Sequence, residues 1–283
     1  MVKPHIAIVG AGSLGTSLAL ALHNADYVID EIISRGGAAS VRKARRLAAQ
    51  VGASAAALTR VHIRADVVWF CVPDGAIASA AVALSEANEW HGKVALHASG
   101  ALTSDELAEL RRRGASVASV HPLMTFVPGS RPPLAGVPFA IEGDRKAALA
   151  ARAIVLNLGG RPFPIGKRYK QAYHTWGMFV SPLLTALLAA SERVAATAGV
   201  KRSAAKQRML PILKQTLANY AALGASHSFS GPIARGDVET VRKHLSALSA
   251  TPEARNIYIA LAQTALRDLP TKNRVALEKI LKK

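Results

Sequence analysis

The chain has 283 residues, of which 50% are hydrophobic and 19% are charged, a composition typical of a globular protein and not of a disordered one. This length accommodates one large domain or two of medium size. Cys71 is the single cysteine, which excludes an intramolecular disulfide and a cysteine-based metal site. We therefore expect no bound metal, and the cysteine content fits the reducing conditions of the cytoplasm.

The formal net charge is +18, and most of the excess lies after residue 166. Such a charge suits an anionic ligand or a nucleic acid. Because the basic residues are dispersed, with few aromatic residues among them and no nucleic-acid motif, we expect a small anionic substrate and not nucleic acid. The longest apolar stretch, 178–190, contains Pro182 and is shorter than the ~20 residues that span a bilayer, so no membrane segment is expected.

Strand-like and helix-like segments alternate through the first 166 residues. Residues 5–9 form a short apolar run without helical period, which is typical of a buried strand. A helix at 13–24 and a strand at 27–34 complete one βαβ unit. The alternation then continues with helices predicted at 38–50, 76–87 and 103–113, and strands at 67–72, 94–98, 117–121, 138–141 and 161–165. This pattern predicts an α/β fold with a doubly wound parallel sheet.

Residues 167–283 contain almost no strand-like run and are predicted to form successive helices. Glycines and prolines divide these helices at Gly199, between Gly224 and Gly236, near Pro252 and at Pro270. The change in composition and period predicts two domains. The first covers residues 1–166 and contains the sheet, and the second covers residues 167–283 and is all-α.

A glycine-rich motif follows the first predicted strand and opens the first predicted helix. It has the pattern G-x-G-x-x-G and consists of Gly10, Ala11, Gly12, Ser13, Leu14 and Gly15. In this setting the first glycine permits a tight turn, the second lets the backbone approach a pyrophosphate, and the third lets helix and strand pack closely. The free amides at the helix N-terminus then hold the anion. The motif predicts a Rossmann dinucleotide site, and the alternative is a glycine-rich turn of purely structural use.

The end of the second predicted strand indicates which dinucleotide binds. NAD-binding sites usually place an acidic residue there to accept from the ribose 2′-hydroxyl. Here the strand ends in Ser34 and Arg35, whereas Asp30 and Glu31 lie at or before its start. A hydroxyl and a guanidinium suit a 2′-phosphate, so we predict NADP(H). The alternative is an ordinary surface arginine. Further residues that could assist are Ser40, Arg42 and Lys43.

Two more predicted strands end at the same edge of the sheet, where open α/β folds bind their ligands. Small side chains and backbone at such positions commonly border the ribose and the nicotinamide. The residues we predict to contact the cofactor there are Val72, Pro73, Asp74, Ser99 and Gly100.

With these motifs and others further along, the sequence resembles bacterial proteins in which a Rossmann-like domain precedes a C-terminal helical domain of unknown function. They belong to the 6-phosphogluconate-dehydrogenase-like superfamily. Deazaflavin-dependent NADP oxidoreductases, pyrroline-5-carboxylate reductases and ketopantoate reductases are similar relatives. The resemblance covers nearly the whole chain and rests on residues 10–15, 72–74, 97–102, 121–126, 170–174, 231–237 and 244–245. The most specific segments are H-P-L-M-T-F at 121–126 and G-P-I-A-R-G-D at 231–237.

The resemblance implies the fold, a nicotinamide cofactor and a homodimer built through the helical domain, but no particular substrate. One departure concerns the catalytic machinery. The family usually has Ser-Asn where this chain has Ser181 and Pro182. Proline should kink or restart the long helical stretch 169–198 at this point, with Ser181 as a possible N-cap. The missing asparagine argues against a standard dehydrogenase mechanism.

Three residues are our candidates for catalysis. Lys170 and His174 are four residues apart and so share one helix face, and His121 ends a predicted strand on the ligand side of the sheet. Lysine or histidine can donate the proton that a hydride reductase needs near neutral pH. The alternative is a surface lysine and structural histidines. As substrate contacts we name Ser181 and Arg235, since an arginine can pair with a carboxylate or phosphate.

The sequence therefore supports an NADP(H)-dependent oxidoreductase that acts on a small, anionic carbonyl or imine substrate. An alternative from another class is a non-catalytic nucleotide sensor or scaffold that retains the Rossmann fold. The loss of the asparagine at Pro182 favours this alternative.

Overall fold

The computed structural model describes residues 2–282 and contains two compact units, one ending at Met178 and the other beginning at Phe179. This boundary lies 12 residues after the domain boundary at residue 166 that the sequence predicts. The reason is that the helix Lys170–Val180 makes side-chain hydrogen bonds with the sheet unit, through Lys170 and Tyr173.

The first unit is built on one eight-stranded sheet with the strand order 3-2-1-4-5-6-7-8. All neighbouring strands run parallel except β6 and β7, which are antiparallel. The strands are β1 (Ile6–Val9), β2 (Ile29–Ser34), β3 (Ser54–Ala57), β4 (Val67–Phe70), β5 (Val94–His97), β6 (Ser116–Pro122), β7 (Pro138–Gly143) and β8 (Arg161–Pro164). The order reverses between β1 and β4, which opens a crevice at their carboxyl ends.

Helices cover both faces of the sheet. They are α1 (Ser13–Asn24), α2 (Ala38–Val51), α3 (Ile77–Glu86), α4 (Ala108–Arg112), α5 (Arg145–Asn157) and α6 (Lys170–Val180). Because side chains alternate along a strand, β1 supplies both cores. Ile6 and Ile8 pack with α1, α2 and α5, whereas Ala7 and Val9 pack with α3 and α4. This arrangement confirms the predicted doubly wound Rossmann sheet.

The second unit is helical. It contains α7 (Pro182–Thr197), α8 (Arg202–Ser228), α9 (Pro232–Arg235), α10 (Val238–Ala247), α11 (Pro252–Asp268) and α12 (Arg274–Leu281). A small core joins α10, α11 and α12 through Val241, Leu266 and Leu277. Gly224 interrupts α8 with a non-helical backbone, φ 73° and ψ 175°. The all-α region expected after the sheet is confirmed.

The predicted restart of the helix at Pro182 is present. Ser181 has φ −130° and ψ −77°, outside the helical region, and Pro182 begins α7. Ser181 occupies the N-cap position, but its side chain accepts no capping hydrogen bond. By length and composition alone, the stretch Lys167–Thr197 could cross a membrane, with a mean hydropathy of 1.3 in its most apolar window. The prediction of no membrane segment rested only on the shorter apolar run 178–190.

Candidate functional site

The glycine-rich turn links β1 to α1, and two of its glycines are required by close contacts. Gly10 has φ 106°, and a Cβ atom there would lie 2.6 Å from the carbonyl oxygen of Cys71. At Gly15 a Cβ atom would lie 1.9 Å from the carbonyl oxygen of Gly10. These two glycines therefore let β1, β4 and α1 approach one another.

Gly12 differs from the other two glycines of the turn. No heavy atom lies within 4 Å of the position that its Cβ would take, so the protein itself does not require glycine there. Helix α1 also lacks a side-chain cap and has no acidic residue in its first turn. Its free amides, with the neighbouring Ala11, Ser13 and Leu14, therefore face space that a phosphate can enter. The residues of this turn fit the pyrophosphate of a dinucleotide.

The end of β2 carries an unpaired cation. Arg35 is exposed, and within residues 2–282 its side chain makes no ion pair or hydrogen bond. Ser34 is buried and its Oγ donates to the carbonyl oxygen of Ala56 at 3.4 Å, so its hydroxyl is directed towards β3. The two acidic residues of the strand are engaged elsewhere: Asp30 pairs with His5, and Glu31 pairs with Arg64.

The loops after β4 and β5 are held together by Ser99. Its Oγ donates to Oδ2 of Asp74 at 2.8 Å and accepts from the amides of Ala101 and Leu102 at 3.2 and 3.0 Å. Beside them Val72 contacts the glycine turn, since its Cγ1 lies 3.1 Å from the Cβ position of Gly10. Pro73 and Asp74 are exposed at this edge. The predicted cofactor residues of these two loops thus form one connected rim.

Lys170, at the start of α6, is buried, with only 1% of its surface exposed. Its Nζ donates to the carbonyl oxygen of Ser99 at 2.8 Å and to Oγ of Ser119. Burial lowers the pKa of Lys170 to about 8, although the charges of Glu142 and Asp74 act in the opposite direction. The ammonium group is therefore held beneath the Ser99 backbone and does not face open space.

The two candidate histidines meet at Gly100. A Cβ atom on Gly100 would lie 2.8 Å from Nε2 of His121 and 2.9 Å from Cδ2 of His174. Their rings are 6.3 Å apart between centroids. Burial lowers the pKa of His121 to about 4, and the charges of Lys170 and His174 lower it further in the same direction. His121 is therefore neutral near pH 7.

Sequence reasoning did not identify Tyr173, which lies one residue before His174. Its hydroxyl lies 3.0 Å from Nδ1 of His121. Burial raises the pKa of Tyr173 to about 12, so the phenol keeps its proton. The sequence alone does not indicate a functional role for this tyrosine, because its partner His121 lies on β6, 52 residues away.

His97 completes the buried polar region but has a different role. Its Nε2 donates to the carbonyl oxygen of Thr103 at 2.8 Å, and its Nδ1 accepts from the amide of Ser99 at 3.2 Å. Burial lowers its pKa to about 4. Both ring nitrogens are occupied by backbone groups, so His97 fixes the loop after β5.

The remaining two candidates lie in the second unit. Ser181 is partly buried at the start of α7, and Arg235 is exposed at the end of α9. The loop around Arg235 is fixed by hydrogen bonds from Nδ2 of Asn273 to the Gly236 carbonyl and from the Lys272 amide to the Ala234 carbonyl. Among residues 179–282 Arg235 forms no ion pair, but the hydrogen bonds from Thr240 and, less strongly, the charge of Arg235 lower the pKa of the nearby Asp237 carboxyl.

Two family models match the chain. Residues 2–122 match a Rossmann-like domain, and residues 137–265 match a domain of unknown function, DUF2520. Along the chain, a match to a Rossmann-like domain is thus followed by a match to DUF2520, as the resemblance implies. No curated protein sequence matches it.

Solved structures of similar fold cover nearly the full chain. One is a protein from Bacteroides fragilis provisionally assigned as an NADP oxidoreductase, with 22% identity, coverage of 93% of this chain and 97% of that one, and a TM-score of 0.76. A second is a reductive aminase from Aspergillus terreus in complex with NADPH and ethyl-5-oxohexanoate. It has 16% identity and a TM-score of 0.66, and the match covers 98% of this chain and 99% of that one. A third is a pyrroline-5-carboxylate reductase from Coxiella burnetii, with 11% identity, coverage of 93% of this chain and 98% of that one, and a TM-score of 0.61. At these identities the likeness is one of fold.

Proposed function

We propose that the chain is an NADP(H)-dependent oxidoreductase that transfers hydride to or from a small, anionic carbonyl or imine substrate. The observation that carries the proposal is the meeting of His121, His174 and Lys170 around Ser99 and Gly100. This dipeptide follows β5 at the sheet edge where such folds bind ligands. The reductive aminase of similar fold is itself in complex with NADPH, which supports the cofactor class.

The choice of NADP(H) over NAD(H) rests on the end of β2. Within residues 2–282 Arg35 is exposed without a carboxylate partner, whereas Asp30 and Glu31 already pair with His5 and Arg64. A 2′-phosphate would neutralise the free guanidinium. Because the Ser34 hydroxyl is turned towards β3, the recognition would depend on Arg35.

The proposed chemistry assigns different tasks to the three candidates. A bound nicotinamide supplies or accepts the hydride. In the tautomer whose Nδ1 accepts from Tyr173, neutral His121 carries its hydrogen on Nε2, which faces Gly100 and can donate a hydrogen bond that polarises a substrate carbonyl or imine. His174, whose ring lies beside the same Gly100 position, is the candidate for the proton that completes the reduction. Lys170 acts as a positioning residue, because it holds the Ser99 carbonyl and places a positive charge behind the site.

Contacts to the anionic part of the substrate are proposed for Arg235 and Ser181. Arg235 is exposed on a loop whose backbone is fixed, so a carboxylate could pair with it without ordering the loop. We expect Arg235→Ala to raise KM for a carboxylate substrate more than it lowers kcat, and Arg255→Ala on α11 is a charge-matched control.

We also propose that two copies of the chain form a homodimer through the second unit. In α8, Ala205 is the one buried residue, while Leu210, Leu217 and Tyr220 are each more than 40% exposed. A helix of this length with an uncovered apolar face requires a partner in water. Between α7 and α11 the same unit has an apolar groove of about 390 Å³, which could receive such a helix.

A second copy is a better occupant of these surfaces than a lipid bilayer. The apolar stretch 167–197 includes Lys170, which is buried among polar groups of the sheet unit and which a membrane span would expose to hydrocarbon. An apolar helix and an apolar groove on the same chain can cover each other in a symmetric pair.

Cofactor binding is the first test. Fluorescence titration should give tighter binding of NADPH than of NADH, and Arg35→Ala should weaken NADPH selectively. Gly12→Ala should weaken both nucleotides at least about tenfold without lowering Tm, because its Cβ enters only the space assigned to the pyrophosphate. Binding of neither nucleotide to the wild-type protein would overturn the proposal.

Turnover is the second test. NADPH oxidation should be measured against 2-oxo acids, imino acids and oxidised deazaflavin, with His121→Asn and His174→Asn beside the exposed control His62→Asn. We expect each active-site variant to lose at least about a hundredfold in kcat, as is typical when a positioned hydrogen-bond donor or proton donor at the reacting group is removed, while NADPH binding is kept.

The non-catalytic sensor is the second candidate, and the burial of Lys170 favours it, because the ammonium has no open path to a ligand. Under this alternative, NADPH binds but no substrate class supports its oxidation, and the histidine variants keep NADPH binding and have no turnover to lose.

A further inference from the structure

A pocket of about 310 Å³ lies in the first unit beside the glycine-rich turn. One wall is the start of α1, with Gly12 and Ser13. The second wall is the face of α2 that carries Lys43 and Arg46, and the third is the loop between β6 and β7, which brings Arg131. Three separate elements thus each contribute a polar or cationic group to one volume.

The charges around this pocket are not balanced. No aspartate or glutamate lines it, and none of Lys43, Arg46 and Arg131 forms an ion pair in the part of the chain that the structure describes. By contrast, Arg111 in the same unit pairs with two carboxylates. Like charges that face one volume repel each other, and a bound anion would remove this repulsion. The free amides of α1 point to the same ligand charge.

The position of the pocket distinguishes between the two anionic groups of an NADP molecule. A 2′-phosphate belongs at the end of β2, where Arg35 precedes α2. Lys43 and Arg46 are five and eight residues beyond the start of α2 at Ala38, which places them roughly 8–12 Å further along the helix. They share their pocket with Gly12 and not with Arg35. The pyrophosphate is therefore the group that this pocket suits.

The backbone around Arg131 is restricted. Pro128 precedes it, Pro132 and Pro133 follow it, and the amide of Ser130 donates to the Val127 carbonyl at 3.0 Å. Because prolines fix φ, the unbound loop already has little backbone freedom, and ligand binding has less conformational entropy to remove. Arg131 can therefore bind an anion at low entropic cost.

We propose that Arg131, together with Lys43 and Arg46, binds the pyrophosphate of the dinucleotide, so that the β6–β7 loop closes the cofactor site over the glycine-rich turn. The inference rests on the proposed function for the identity of that dinucleotide. Under this inference Lys43 contacts the pyrophosphate and not the 2′-phosphate, and the β6–β7 loop contributes to the affinity for the cofactor.

The test compares three arginine variants at one ionic strength. Arg131→Ala should weaken NADPH and NADH by the same factor, about tenfold, because both carry the pyrophosphate. Arg35→Ala should weaken NADPH alone. Arg152→Ala is the matched control, an exposed arginine on α5 without an ion pair among the described residues, and it should change neither. Inorganic pyrophosphate should compete with both nucleotides, and more weakly in Arg131→Ala.

The outcomes separate this inference from the proposed function. If both nucleotides bind and Arg131→Ala behaves like Arg152→Ala, the pyrophosphate contact is wrong and the proposed function stands. If Arg131→Ala weakens only NADPH, the arginine reads the 2′-phosphate and the inference is again overturned. If the wild-type protein binds neither nucleotide, the proposed function fails, and the pyrophosphate assignment fails with it. Unchanged Tm values for the three variants exclude misfolding as the cause.

Discussion

The two units of the chain bury their side chains in very different ways. In the first unit the strand Ile6–Val9 is completely buried, and helices cover both faces of the sheet. In the second, α7 buries Ala190 and α8 buries Ala205, with no other buried residue in either helix. The first unit thus contains its own core, whereas much of the apolar surface of the second has no partner within that unit.

The polar residues show the same contrast. All buried polar or charged residues of the described chain, among them His97, Ser119 and Lys170, belong to the first unit. Buried polar groups are costly to place and tend to occur where a protein binds or reacts. The buried polar groups of the proposed site therefore all lie in the unit that contains its own core, whereas the surfaces of the proposed dimer lie in the other unit.

The largest expected effect is in the first unit. Gly15→Ala should lower its free energy of unfolding by at least about 3 kcal/mol, because the new Cβ would lie 1.9 Å from the Gly10 carbonyl oxygen, a backbone atom that cannot easily move. Urea denaturation followed by far-UV circular dichroism measures the loss. Gly12→Ala is the control, since its Cβ meets nothing within 4 Å, and equal losses for the two variants would contradict the packing described for the turn.

The second prediction tests whether the helical unit depends on a partner. Leu217 and Tyr220 lie three residues apart and so share one face of α8. Changing both to aspartate should convert a dimer into a monomer at micromolar concentration, as measured by analytical ultracentrifugation. Lys206→Asp, an exposed polar position on the same helix, should leave the dimer intact. A wild-type protein that is monomeric at every concentration would remove the proposed dimer.

The third prediction concerns the pH dependence that Lys170 gives to the first unit. Between pH 8 and 10.5 the folded form loses this proton while the unfolded chain keeps it, so the unfolded state binds more protons and stability rises with pH. The rise should amount to about 2–3 kcal/mol. It should be absent in Lys170→Met and present in Lys201→Met, an exposed control, when denaturation is measured across this range. Parallel curves for all three proteins would be inconsistent with a buried ammonium.

The smallest effect lies in the second unit. Oδ1 of Asp237 accepts from the amide of Thr240 at 3.0 Å and caps α10. Asp237→Ala should lower Tm by about 2–4 °C through loss of the cap, whereas Asp237→Asn, which keeps an acceptor, should lower it less. Differential scanning calorimetry can compare the two. Equal losses in the two variants would mean that the charge, and not the hydrogen bond, is what matters.

Much of the fold could be predicted because local patterns determine it. The glycine motif, the apolar runs of β1, β4 and β5, and the restart at Pro182 are all read from neighbouring residues. Strand β3 was not predicted, since Ser54–Ala57 is a serine and three alanines, which are poor strand formers. It forms because it pairs with the edge of β2, a tertiary effect. Helix α5 (Arg145–Asn157) was also not named.

The candidate site could be predicted only in part. His121 and His174 could be named as candidates from a strand end and a helix face, but their partner Tyr173 and the Ser119 beneath Lys170 depend on contacts across more than 50 residues. Lysine is expected at the surface, so no local signal indicates that Lys170 is buried. The catalytic roles of these residues stay predictions until the variants are measured.

The burial of Lys170 has a consequence for chemical labelling of the folded protein. Amine-reactive reagents attack the neutral form of a lysine, and with a pKa of about 8 this side chain is far more often neutral near pH 8 than an exposed lysine. Its 1% exposure nevertheless shields it from reagent. Because exposure removes the burial that lowers this pKa, only the opened state with an ordinary lysine reacts, and labelling followed by peptide mass spectrometry would report how often α6 opens away from the sheet. A bound ligand that holds the helix closed would slow the labelling.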